Sequence, residues 1–339
     1  MFTSSNNPFC ESFTTNTNDQ RVCFYGNVHE HTGKKGWLNK GMKDRFVDVN
    51  GDDSNEWCIT SETTTCKTVG FAIDMSSQQL TSIVTVLEGK HESEVEIINI
   101  GGKKIMIIGK GREESVIGTN LLSIDSTTLF SVTSGQLEVE HVGIDHNTER
   151  SPSPNVFVVS DGSGSLSLAD ILISGTRRRS VISASVFEVA LRQLKMIDVE
   201  VKNIKISQPL FAEPSSAEST AGESFLRDLT IRNVNRTGGD GVVVLKSVGA
   251  GETFVVWNMT MEECECVNGD GGGIKVELAT SSSKVRVGGS TSQRRVSTKF
   301  FKMKCDGYGG EVMLWKCQTM EIPFGDIETE PAEEKIKDR

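Results

Sequence analysis

Residues 137–144, Leu137-Glu138-Val139-Glu140-His141-Val142-Gly143-Ile144, set apolar side chains at the first, third, sixth and eighth places. The same spacing returns in Leu166, Leu168, Ile171, Ile173 and in Leu194, Met196, Val199, Val201. It returns in Leu226, Leu229, Ile231 with Ser224 in the first slot, then in Phe254, Val256, Met259, Met261, and in Val296, Thr298, Phe301, Met303. The starts lie 29, 28, 30, 30 and 42 residues apart. Alternation within a copy marks a strand half buried on one face. The gap of three breaks that alternation once, so the chain must turn a corner there and resume pointing inward.

A second strand precedes each copy: Leu129–Val132, Val156–Val159, Val186–Val189, Gly241–Leu245, Gly273–Leu278 and Glu311–Leu314. Phe130, Phe157, Phe187 and Phe211 recur in these segments and are expected to form an internal aromatic stack. Each unit is then about three short strands joined by corners, with a period inside the ~20–45 residues of solenoids. No copy holds an amphipathic run long enough for a helix, which excludes helical repeats. A β-sandwich would lack the fixed corner spacing. The expectation is an all-β fold, a parallel β-helix over residues 81–318 of roughly seven or eight coils. Leu137, Leu166, Leu194 and Phe254 should be buried, and Glu138, Ser167, Lys195 and Val255 should point outward.

Working outward, Lys67–Met75 places Val69, Ala72 and Ile73 at helical spacing. A short amphipathic helix there would cover the open first coil, as exposed core ends of solenoids require. Residues 58–80 are therefore read as a capping segment, and Ile83–Leu87 and Lys104–Gly109 as the first coil strands. Residues 1–57 form a polar segment without a strong period. Residues 319–339 are a charge-dense tail expected to be disordered. Asp48-Val49-Asn50-Gly51-Asp52-Asp53 echoes the start of a calcium loop. Asp53 stands where that loop needs Gly and Ile59 where it needs the closing Glu, so a polar turn is expected.

The run from Trp57-Cys58 through Cys66-Lys67-Thr68-Val69 to Val84–Gly89 and Ile105–Gly109 resembles the entry to right-handed parallel β-helix proteins of the pectin-lyase-like superfamily. Gly272-Gly273-Ile274 and Gly309-Gly310-Glu311-Val312 resemble the short turns of bacterial and protist surface β-helix proteins. The resemblance spans roughly 57–317 and implies a right-handed parallel β-helix. It leaves activity open, because that superfamily holds lyases, hydrolases, adhesins and inert scaffolds.

Composition narrows the function classes. The 339 residues carry a net charge of −10, which argues against a nucleic-acid partner. No apolar run approaches the ~20 residues that span a bilayer. Gly is abundant at 33 and Pro scarce at 7, which suits tight turns and strands that need every N–H.

Stacking the copies exposes columns. Four places after each start stand His141, Asp170, Asp198, Asp228 and Asn258, then Phe300. Asp, Asn and His tolerate a left-handed backbone and bond nearby N–H groups, so the column is read as a structural ladder. The resemblance agrees, since polar ladders at such corners are structural in that family. The alternative is a carboxylate column that binds a cation, because stacked Asp side chains repel unless neutralised. Nine places after each start stand His146, Gly175, Asn203, Asn233, Glu263 and Cys305, read as a loop-entry position.

β-Helix hydrolases carry Asn-Thr-Asp, Asp-Asp, Gly-His-Gly and Arg-Ile-Lys in order, and this chain does not carry that set. For a polysaccharide lyase or hydrolase, the alternative reading, Asp170, Asp198 and Arg178 are the best available residues. The basic run Arg177-Arg178-Arg179 follows Gly175-Thr176 in a loop, either solvated or gripping an anionic glycan. Gly269–Gly273 lacks the helix and Lys of a phosphate loop and reads as a turn.

The 8 cysteines permit full pairing. Cys58 and Cys66, eight apart, are the better disulfide candidate, and Cys264 with Cys305 a second. Cys264-Glu265-Cys266 lacks the spacer usual in zinc sites, so no metal or other cofactor is expected. Asn235-Arg236-Thr237 and Asn258-Met259-Thr260 are glycosylation sequons if the chain is secreted. No signal peptide follows Met1. The chain is then either cytosolic with free thiols or a piece of a longer exported protein, and the second is taken as the expectation. The functional expectation is a non-catalytic, adhesin-like scaffold, extracellular or at the cell surface, that binds carbohydrate or other surface proteins.

Overall fold

The computed structural model describes residues 44–54, 65–76, 81–91, 97–118, 128–146, 155–159, 164–175, 181–182, 185–190, 193–212, 223–239, 241–246, 252–267 and 273–277; elsewhere only short strands are placed. The copies found in the sequence become five long strands, Gln136–His146, Ser165–Gly175, Leu194–Ile206, Glu223–Arg236 and Thr253–Glu262. They stack in parallel and in register, so Leu137 sits beside Leu166 and Leu166 beside Leu194. Lys104–Ile108, Thr81–Val86 and Asp44–Val47 extend the column at one end, and Lys284–Val287 and Met320–Glu321 at the other. A second parallel sheet joins Ile98–Asn99, Thr128–Val132, Asn155–Val159, Phe187–Val189 and Phe211–Ala212. A third joins Val243–Lys246, Ile274–Glu277 and Val312–Trp315. This is a parallel β-helix.

The long strands from Gln136–His146 to Thr253–Glu262 make about 4 turns. Shorter strands at either end bring those stacked within residues 81–318 to eight, in line with the seven or eight coils expected. The sixth copy differs from the reading of the sequence. Phe254 pairs with Val285, not Val296, and Met261 pairs with Phe300, which is therefore no corner residue. An antiparallel pair, Ser290–Thr291 with Arg294–Arg295, is inserted between the two half-strands and stretches the spacing. Strand pairing also continues into the charged tail, where Glu328–Thr329 pairs with Lys299–Phe300.

One contiguous core fills the solenoid, and Leu137, Leu166, Leu194 and Phe254 lie in it. Phe130, Phe157, Phe187 and Phe211 stack in order with ring centroids 5.1, 5.7 and 5.3 Å apart. In-register pairing creates this stack, because each coil places its ring one strand spacing above the last. Two polar residues sit in the same inward column, Ser82 and Ser224, each fully buried with its hydroxyl unpaired. Glu138 and Lys195 are exposed and Ser167 is half-buried, all on the outer face, but Val255 is only 5% exposed. Its register neighbour Phe225 and the adjacent Trp257 shelter it; alternation alone could not reveal that.

The helix Val69–Asp74 buries Val69, Ala72 and Ile73 against the first coils. Thr68 caps it by accepting from the Phe71 N–H. Asp53 accepts from the Lys67 and Thr68 N–H groups and from the Thr68 hydroxyl. At the other helix end Lys103 Nζ donates to the Ile73 carbonyl at 2.7 Å and Arg45 Nη2 to the Met75 carbonyl at 2.7 Å. Two buried cations thus satisfy orphan carbonyls where the helix dipole is negative.

Candidate functional site

The three-residue gap puts one residue of each coil at a sharp corner, and the backbone there is left-handed. His141, Asp170, Asp198, Asp228 and Asn258 have φ of 56°, 51°, 54°, 55° and 54°. A left-handed residue costs roughly 1–2 kcal/mol unless its side chain bonds locally, which explains Asp, Asn and His at this place. The bonds differ from the main-chain contacts expected of a ladder. His141 Nδ1 donates to Asp170 Oδ2 at 2.7 Å, and Asn258 Nδ2 donates to Asp228 Oδ1 at 2.6 Å. Arg227 Nε lies 3.1 Å from Asp228 Oδ2.

The remaining neutraliser is Arg112, which the sequence did not single out. It sits between Lys104–Ile108 and Ser115–Gly118, and its guanidinium reaches Asp170 at 3.6 Å, Asp198 at 3.5 Å and Glu200 at 3.8 Å. Gly143 makes the reach possible, because a Cβ there would collide with the Arg112 carbonyl. Further along the same face, Arg232 lies 3.2 Å from Glu262 and Lys202 3.7 Å from Glu200. The three stacked aspartates are therefore held by a donor at each end and by two guanidiniums. Each such exposed pair contributes little alone.

The column nine places after each start is also a corner. Asn203, Asn233 and Glu263 have φ of 57°, 49° and 54°, and Asn233 Nδ2 donates to Asn203 Oδ1 at 2.9 Å. Cys305 does not belong to this column, since it pairs with Cys266. The expected Cys264–Cys305 bridge is not formed. Cys264 is a buried thiol whose Sγ lies 3.5 Å from the Glu262 carbonyl and 3.6 Å from that of Ile231. Burial pushes this thiol up to about 12. Cys66 is disulfide-bonded, and Cys58 lies outside the described residues.

Asn258, one of the two sequons, spends its amide on Asp228, whereas Asn235 is half-buried beside Lys205 and Glu265. Arg177, Arg178 and Arg179 lie outside the described residues, as do Gly269–Gly272. The calcium-loop echo is a pair of turns: Asp48 accepts from the Asn50 N–H, and Asp52 from the N–H and hydroxyl of Ser54. Hydrogen bonds from Ser54 hold the Asp52 carboxyl below its ordinary range. Among the described residues no three His, Cys, Asp or Glu side chains gather as a metal-binding group. No described helix is long and apolar enough to cross a membrane.

The outer face of the long sheet departs from the usual apolar-in, polar-out alternation. Half-exposed apolar residues occupy it at one end (Met106, Ile108) and at the other (Ile197, Phe225, Trp257), with Glu138, Ser167, Glu140 and Ala169 between.

No family model matches the chain, and no curated protein matches it. Among solved structures it is similar to a pectin methylesterase from carrot, at 8% identity and a TM-score of 0.43, over 83% of this chain and 88% of that one. It is also similar to a pectin methylesterase in complex with hexasaccharide VII, at 10% identity and a TM-score of 0.31, over 80% of each chain.

Proposed function

We propose that the protein is a non-catalytic β-helix scaffold, outside the cell or at its surface, whose long faces bind glycans or other proteins. The observation that carries this reading is the corner column. Its carboxylates sit on left-handed backbone and are engaged by His141, Arg112, Arg227 and Asn258, so they serve coil stacking. A general acid or base must instead reach a proton on a substrate. The Cys66 disulfide supports an oxidising compartment.

The test is to incubate the protein with a panel of polyuronates and neutral polysaccharides, with and without Ca²⁺. Unsaturated products and reducing ends are followed, and retention of each glycan on the immobilised protein is measured. Retention without turnover is expected. Sustained turnover abolished by Asp198→Ala would overturn the reading in favour of a lyase or hydrolase.

A further inference from the structure

We propose that the outer face of the long sheet docks a second copy of this chain, with the two solenoid axes antiparallel. The two-fold axis runs along the strand direction and passes between Ser165–Gly175 and Leu194–Ile206. Such an axis leaves position along a strand unchanged, so each outward column faces itself in reverse coil order.

The outward columns are complementary to themselves under that operation. In the first, Ile108, Glu140, Ala169, Ile197, Arg227 and Trp257 follow one another in register. Reversal sets Ile108 opposite the partner's Trp257, Glu140 opposite the partner's Arg227, and Ala169 opposite the partner's Ile197. In the second column, reversal sets Met106 opposite Val255 and Ser167 opposite Lys195. Glu138 then faces Phe225, with the partner's Arg227 as its diagonal neighbour. In the first column apolar side chains meet apolar ones, Glu140 meets Arg227, and Ala169 lies beside the axis; in the second, Ser167 leaves room for Lys195.

Arg227 also touches its own Asp228, but a guanidinium has five donors and can serve both. Six strands at about 4.8 Å and five residues at about 3.3 Å give roughly 480 Å² per copy. That is roughly 950 Å² in total, below stable specific interfaces and in the range of weak, transient ones, so a weak dimer is expected. Single-signed charge would bar self-association, and this face has both signs, segregated along the solenoid axis.

The inference rests on the scaffold reading only in leaving this face clear of substrate, and a turnover assay and a measurement of mass fail independently. Sedimentation equilibrium of the full chain, at up to about 100 μM, should show a monomer–dimer equilibrium. Arg227→Glu and Glu140→Arg should each weaken dimerisation by at least about tenfold, because each places like charges opposite one another. The double variant should recover near wild-type association, since every reversed charge again faces its opposite. Far-UV circular dichroism establishes that each variant folds, as both side chains point outward. A wild type that stays monomeric overturns the proposal and assigns the face to another partner. Single reversals without effect, or a double variant that fails to recover, place any dimer on a different surface and overturn it equally.

Discussion

Replacing Phe187 tests whether the aromatic stack couples successive coils. The ring is fully buried and lies between Phe157 at 5.7 Å, nearly parallel at 3°, and Phe211 at 5.3 Å, tilted by 22°. Truncation to Ala removes the ring and leaves a cavity that rigid flanking strands cannot close, at a cost of about 3–5 kcal/mol. Phe187→Leu keeps most of the volume and forfeits two ring contacts of about 0.5–1.5 kcal/mol each, or about 1–3 kcal/mol in all. Total stability of a domain is only about 5–15 kcal/mol, so the Ala variant loses a large share. In a solenoid each coil touches only its neighbours, so the loss falls on one interface and is not spread. The coils before and after Phe187 should then unfold separately in urea. Trp257, on the far side, should report a transition that no longer coincides with far-UV circular dichroism. A Phe187→Ala protein that unfolds in one coincident step, less than about 1 kcal/mol below wild type, would refute the reasoning.

Other outcomes follow from buried polar groups and the corners. Ser224→Ala should raise stability by about 1 kcal/mol in thermal or urea melts, because a buried hydroxyl without a partner is removed. Burial lowers the His91 pKa against the opposing effects of the Leu87 carbonyl and Asp48, so the native state resists a proton that the unfolded chain accepts. Stability should therefore fall as pH drops below the unfolded value of about 6.5, and His91→Gln should flatten that limb of a pH–melting curve. Asp198→Asn should melt like the wild type with and without Ca²⁺, whereas Asp228→Leu should cost about 1–2 kcal/mol, because Leu at φ 55° bears the left-handed penalty without the Asn258 bond that offsets it. A Ca²⁺-dependent rise in melting temperature that vanishes in Asp198→Asn would contradict the structural role of the column. Cys264, with its thiol at about 12, should resist iodoacetamide at pH 8 in the native state and react once urea unfolds the chain.

The inward residues were legible in the sequence because their spacing is set by backbone geometry alone: Leu137, Leu166 and Leu194 repeat since every coil must fill the same slot. The corner column was legible for the same reason, as few side chains suit φ near 55°. Arg112 was not, because its reach to Asp170 and Asp198 depends on the path of a loop that shares no period with the coils. Val255 points outward as expected yet is covered, because alternation records which way a side chain points and not what leans over it. The sixth coil was misread because an inserted hairpin divides its strand, and a fixed template then locks onto Val296 when Val285 is the paired residue.

The helix fastened by Lys103 and Arg45 has a consequence for growth. A stack of β-strands is a polymerisation template, and its open face adds the next strand as a growing crystal adds the next layer. Here one face is closed by a plug held through its own carbonyls, so that end acts as a chain stopper. Axial addition at that end must first displace the helix and break both of these bonds.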